Sequence, residues 1–181
     1  MAVILYSALI LATGAERIVE LVLSTRNARK AFSLGGVEYG RGHFPWLVAL
    51  HTGLLVACII EVLVTDRPFL PLLGWPMLAL VVASQALRYW CIATLGSQWN
   101  TRVIVVQGLG LVTRGPYRWL RHPNYLAVVV EGFALPLVHT AWITALVFTV
   151  LNAVLLLGFR IPTENRALAS LQPAGPRGRS T

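Results

Sequence analysis

Apolar runs of near-bilayer length recur along this chain and leave few folds open to it. They cover residues 2–23, 44–64, 75–95, 125–139 and 141–159. A membrane helix needs about 20 mostly apolar residues, each rising 1.5 Å, to cross roughly 30 Å of hydrocarbon. The fourth run has only 15 residues and contains Pro136. It is therefore expected to cross with little tilt, to stop short, or to form a helical hairpin with the fifth. Only 12% of residues are charged, about half the fraction usual in a soluble domain. That composition excludes an ordinary water-soluble enzyme, a disordered chain and a disulfide-stapled secreted module. The expected fold is all-α, a multi-pass membrane bundle of about five helices forming one domain over residues 1–171. The polar, Pro/Gly-rich stretch 172–181 is expected to be disordered. Cys58 and Cys91 fall inside apolar runs and read as free, packed thiols.

Charge placement sets an orientation. The first run is not expected to be a cleaved signal, because no base precedes it and Glu16, Arg17 and Glu20 interrupt it. Net charge is +8, with the bases in blocks between the apolar runs, a layout of membrane orientation rather than nucleic-acid binding. Arg26, Arg29, Lys30 and Arg41 follow the first run; Arg102, Arg114, Arg118 and Arg121 follow the third. Arg160, Arg166, Arg177 and Arg179 follow the fifth. Positive-inside bias then puts the N-terminus outside, the C-terminus in the cytoplasm and these blocks at the inner face of the cell membrane. Trp46, Trp75 and Trp142, near run ends, suit either an interfacial belt or simple packing.

Several ionisable residues sit at membrane depth, where each charge costs about 2.5–3.5 kcal/mol on insertion scales. They are Glu16, Arg17, Glu20, Glu61, Arg88 and Glu131, with Gln85 among them. Singly, each could be an interhelical ion pair that fixes register. Together, on different helices, they point to a polar cavity on the cytoplasmic side approached by Glu16, Glu20, Arg88 and Glu131.

Two blocks carry chemistry. In the first, Gly115-Pro-Tyr-Arg-Trp-Leu-Arg-His-Pro-Asn-Tyr125 leads into the fourth run. Gly115-Pro116 marks a turn, and Pro123 suits a first helical position, with His122 at the N-cap. Free backbone N–H groups there, beside Arg118 and Arg121, make an anion site or a basic loop touching lipid headgroups. No strand is expected before Gly108-Leu-Gly110, so no dinucleotide fold is expected. The second block, Arg160-Ile-Pro-Thr-Glu-Asn-Arg-Ala-Leu168, places Arg160 and Glu164 one turn apart, with a helix kink expected at Pro162.

Taken together, these blocks resemble the isoprenylcysteine carboxyl methyltransferase family of integral membrane enzymes, in its short bacterial branch. The likeness rests on Gly115-Pro116-Tyr117, Arg121-His122-Pro123-x-Tyr125 and Arg160-Ile161-x-x-Glu164 with Leu168, and extends weakly to Glu16-Arg17, Glu20, Arg26-Asn27 and Gly36-Val-Glu38-Tyr. The resemblance implies an S-adenosylmethionine-dependent methyltransferase without a Rossmann fold, releasing S-adenosylhomocysteine. It implies a cofactor pocket of Arg121, His122, Pro123, Tyr125 and Glu164, shaped by Gly115 and Tyr117, with Arg160 near the acceptor and no metal. Where the family commonly has a second Glu, this chain has Asn165, which leaves the acceptor open.

Methyl transfer from a sulfonium needs orientation and water exclusion above all, and holding the reactants in attack geometry supplies roughly 7–11 kcal/mol. A carboxylate acceptor is already ionised at neutral pH, whereas a phenolic or enolic hydroxyl needs a base. Glu131, Glu164 and His122 are the candidates for that base. The expected reaction is O-methylation of a lipophilic small-molecule or prenyl-type acceptor reached from the membrane lipids. A phospholipid N-methyltransferase and a non-catalytic membrane protein of the same fold are the alternatives.

Overall fold

A computed structural model describes residues 2–171; the tail expected to be disordered, 172–181, lies outside the described residues. Four helical stretches are long and apolar enough to cross a membrane: Ala2–Ser33, Arg41–Val64, Pro71–Gln98 and Trp142–Ala169. A shorter apolar helix, Pro123–Leu137, is the fifth. The regular helices within them are α1 (Ala2–Ser33), α2 (Phe44–Val64), α3 (Pro71–Leu95), α4 (Pro123–Leu137), α5 (Trp142–Leu155) and α6 (Ile161–Ala169). The chain is a membrane protein.

Helix α1 runs ten residues past the apolar run that predicts it. Nothing between Ser24 and Ser33 breaks a helix, so it ends only at Gly35. There the Gly35 N–H donates to the Phe32 carbonyl and the Gly36 N–H to the Ala31 carbonyl, with Gly35 at φ +79°. This left-handed cap is one that glycine forms without a Cβ penalty. The extension is pinned sideways. Asn27 Nδ2 donates to the Trp99 carbonyl at 2.7 Å, and Ser24 Oγ donates to Asn100 Oδ1 at 2.8 Å.

The all-α expectation needs one correction. Strands β1 (Val37–Tyr39) and β2 (Val103–Val105) pair antiparallel, Val37 opposite Val105 and Tyr39 opposite Val103. A strand therefore does precede Gly108. Three-residue strands leave almost no periodic signal, and this pair forms because the α1 extension brings its two halves together. No helix follows β2 directly, so it is not the start of a dinucleotide-binding unit. The sheet packs on α6 through Val103, Val105 and Ala167.

The main core lies away from the sheet. Tyr6 and Ile10 of α1, Leu54 and Cys58 of α2, Val81 of α3, Leu135 of α4 and Phe148 of α5 are buried together. Helices α4 and α5 come close at Gly132, where an added Cβ would stand 1.9 Å from the Phe148 ring. Glu61, expected at membrane depth, sits at the N-terminus of α5 and accepts from the Ile143 and Thr144 backbone N–H groups at 3.2 and 2.7 Å. A carboxylate there offsets both unpaired donors and the helix dipole. Trp46, Trp75 and Trp142 are exposed, with Trp75 edge-on to Phe69 and Trp142 beneath the Arg67 guanidinium. Both cysteines are free and buried.

The kink expected at Pro162 takes a specific form. Between α5 and α6 the helix widens into a π-helical turn, Leu156–Arg160, in which the Ile161 N–H donates to the Leu156 carbonyl. Proline lacks an N–H and crowds the carbonyl four residues back, and the wide turn accommodates both effects. It also turns Arg160 into the interior, where it is buried. Single π turns inside helices frequently sit at functional sites.

Candidate active site

Helix α4 starts at Pro123 with His122 as its N-cap residue. The His122 side chain does not cap the helix; it reaches α6 instead. Its Nδ1 lies 3.2 Å from Glu164 Oε1 and its Nε2 lies 3.1 Å from Asn165 Oδ1. Hydrogen bonding to Glu164, the main cause, together with its charge and the Asn165 carbonyl, holds the imidazole above its ordinary pKa against the opposing effect of burial. Asn165 thus supplies an acceptor to the histidine at the position where a second glutamate was anticipated.

Tyr125, in the first turn of α4, stacks on His122 with ring centroids 5.3 Å apart. Its hydroxyl donates to Glu164 Oε2 and accepts from Arg160 Nε, the latter at 2.9 Å. Arg160 Nη2 donates to the Thr101 carbonyl at 2.6 Å. A continuous chain of hydrogen bonds therefore runs from His122 through Glu164 and Tyr125 to Arg160. It ties the start of α4 to the start of α6 and to the loop before β2.

The preceding loop is shaped by Gly115, whose φ is +58° and whose added Cβ would meet Thr94 Oγ1 at 2.5 Å. It opens a 3₁₀ turn, Gly115–Arg118. Burial, reinforced by the neighbouring Cys91 thiol, pushes the Tyr117 hydroxyl above its usual pKa. Pro123 is buried beneath the site.

Two cavities meet here. The larger, about 730 Å³, is walled by Arg121, His122, Tyr125, Glu164 and Asn165 and by the 109–113 loop; Tyr117 and Arg160 also reach it. The smaller, about 150 Å³, is walled by Leu21 of α1 and by Leu47, Val48 and Leu55 of α2. Trp99, Asn100, Asn124, Tyr125 and Arg160 line both and form the waist between them. Asn124 Oδ1 is buried there without a hydrogen-bond partner among the described residues.

Glu131 is set apart from this group and lines neither cavity. Its Oε2 accepts from Arg17 Nη2 at 3.1 Å, in a cluster spanning α1, α3 and α4. Arg17 Nη1 also reaches Glu20 Oε2 at 2.6 Å, and Arg88 grips Glu20 with two hydrogen bonds of 2.6 and 2.8 Å. Glu16 accepts from Gln85 and Tyr89. The membrane-depth charges are thus paired, and Arg17, Glu20 and Arg88 also form one side of the smaller cavity. Sequence reasoning passed over Asn124, Trp99, Asn100 and Thr101. Asn124 occupies the variable place inside the histidine-proline-tyrosine block, and only its polarity at the start of an apolar helix could have marked it.

A helical membrane bundle with this paired-block site belongs to the class of integral membrane methyltransferases, and comparison with known proteins gives the particular family. Residues 77–170 match the isoprenylcysteine carboxyl methyltransferase (ICMT) family. Over 154 residues the chain is 38% identical to the uncharacterized protein YpbQ of Bacillus subtilis (strain 168), covering 84% of this chain and 90% of that one. No solved structure matches it. The chain belongs to the isoprenylcysteine carboxyl methyltransferase family.

Proposed function

We propose that this protein is an S-adenosylmethionine-dependent O-methyltransferase acting at the waist between its two cavities on a carboxylate or hydroxyl of a lipophilic acceptor. The observation that carries this reading is the meeting of a large cavity of mixed lining, with Arg121, His122 and Glu164 in its wall, and a small, largely apolar one at Tyr125 and Arg160. A volume of about 730 Å³ suits a cofactor, since small-molecule sites run from roughly 300 to 1,000 Å³. The donor set suits a zwitterionic nucleoside. Arg121 can meet a carboxylate, Glu164 an ammonium or ribose hydroxyl, and the unpartnered Asn124 Oδ1 an N–H or O–H donor.

When bound, the cofactor supplies a methyl group activated by sulfonium charge. The chain's own part is orientation. His122 and Tyr125 hold Glu164 from two sides, fixing its carboxylate plane. Arg160, fixed by Tyr125 and the Thr101 carbonyl, presents positive charge to an acceptor oxygen at the waist. Because both of these donors are already engaged, Arg160 positions an oxyanion without the tight bidentate pairing that would quench its nucleophilicity. Leu21, Leu47, Val48 and Leu55 exclude water from the acceptor's apolar part.

The bases before and around the site, among them Arg26, Arg29, Lys30, Arg114, Arg118 and Arg121, support a cytoplasmic position in the cell membrane. The test is mass spectrometry of membrane lipid extracts incubated with the purified protein and methyl-labelled S-adenosylmethionine. Label is expected on an oxygen of a lipophilic product. Label on a phospholipid amine, or no labelled lipid at all, contradicts the proposal.

A further inference from the structure

His51 of α2 lines the smaller cavity, with Arg17, Glu20 and Arg88 in the same wall, and has no role in the site described above. Its Nδ1 lies 2.8 Å from the Leu47 carbonyl oxygen, one turn back on the same helix. A carbonyl only accepts, so Nδ1 carries the hydrogen, and the neutral ring keeps its lone pair on Nε2. Phe148 holds the ring edge-on, with centroids 5.3 Å apart and planes at 85°. Among the described residues Nε2 has no hydrogen-bond partner, and it keeps accessible surface.

The other histidine and carboxylates in the walls of the two cavities are engaged, and His43, whose Nε2 is enclosed without a partner among the described residues, lines neither cavity. Glu164 is held by His122 and Tyr125, and His122 faces Glu164 and Asn165. Glu131 is paired with Arg17 and lies outside both cavities, and Glu20 is gripped by Arg88. We propose that His51 Nε2 is the general base for the acceptor, which makes the acceptor a lipophilic molecule bearing a hydroxyl, of phenol or enol type, rather than a carboxylate. The inference rests on the methyl-transfer reading above and deepens it.

The step balances simply. The acceptor O–H bond breaks and its proton moves to His51 Nε2. An oxygen lone pair forms the bond to the methyl carbon, and the electron pair of the broken carbon–sulfur bond stays on sulfur. A methyl ether, a neutral thioether and an imidazolium result, and the imidazolium returns its proton to water from the larger cavity. The charges facing His51 across the cavity are Arg17 and Glu20 from α1, Arg88 from α3 and Arg160 from the π turn. Arg17 and Arg88 are balanced by Glu20 together with Glu131, which pairs with Arg17 from α4. Arg160 stabilises the oxyanion as it forms.

His51→Asn keeps an N–H for the Leu47 carbonyl and removes the base; His51→Gln is the second variant. Whichever retains wild-type affinity for S-adenosylhomocysteine is the folded one to read. The first readout needs no methyl donor. An alkylated para-nitrophenol is added at a pH where the free phenol is protonated, and the visible phenolate band is measured. Wild-type protein is expected to raise the phenolate fraction and the folded variant to abolish the rise. Turnover on a para-alkylphenol is expected to fall about a hundredfold, the scale of general-base catalysis. An unchanged phenolate fraction or unchanged turnover in the variant overturns the role of His51. A phenolate band in wild type without S-adenosylhomocysteine binding instead sinks the methyltransferase reading and leaves the base standing.

Discussion

Tyr125 shows how much of this site depends on one hydroxyl, which donates to Glu164 while accepting from Arg160. The two charged residues it joins have separable tasks. Glu164 faces the larger cavity alone, whereas Arg160 faces both. Arg160→Ala is therefore expected to lower turnover at least tenfold while changing S-adenosylhomocysteine affinity far less, as steady-state kinetics and calorimetry together would show. Equal losses in both would move Arg160 into the cofactor pocket. His122 gives a pH signature. Its pKa is raised in the folded protein, chiefly by the Glu164 hydrogen bond, so the stability it contributes is complete below its ordinary value near 6.5. That contribution is lost as pH rises through the raised folded value. The melting-temperature gap between wild type and His122→Asn should accordingly narrow as pH increases through that window; a gap that widens contradicts the charged pair. At this scale the sequence was most legible where chemistry is local. Gly115, Pro123 and Pro162 announce their turns by backbone constraint alone, and His122, Tyr125, Arg160 and Glu164 do converge. Asn124, Thr101 and His51 were illegible because only tertiary packing brings them to the waist.

Elements followed the hydropathy pattern in their existence and departed from it at their ends. Apolar runs report where a helix meets lipid, whereas helix ends are set by caps and breakers. Helix α1 accordingly continues beyond its apolar run to a glycine cap, and the paired strands had no periodic signal of their own. Glu61 illustrates an element-level role hidden in a residue type. Besides the backbone of α5 it meets the Thr144 hydroxyl at 2.8 Å and Arg67 at 3.1 Å. Glu61→Gln should loosen the docking of α5 on α2 by about 2 kcal/mol, the scale of hydrogen bonds to a charged group. Thermal unfolding in detergent would register the loss, and an unchanged melting temperature would show that the α5 N-terminus needs no carboxylate.

For the whole molecule, the site end carries the α1 extension, the sheet, the 115–125 loop and α6, while the main apolar core fills the other end. The distribution of bases supports the proposed cytoplasmic placement of the site end. Cys58 and Cys91 are buried, so a cysteine introduced by Arg29→Cys, at an exposed position, reports sidedness. Membrane-impermeant maleimide should label it only after the cells are opened; labelling of intact cells reverses the orientation. The central claim is that the His122–Glu164–Tyr125 wall holds the methyl donor. Isothermal titration of detergent-solubilised protein with S-adenosylhomocysteine tests it most directly. Saturable binding weakened at least tenfold by His122→Ala or Glu164→Gln is the predicted result, whereas no binding to the folded wild-type protein, or equal binding by both variants, contradicts it.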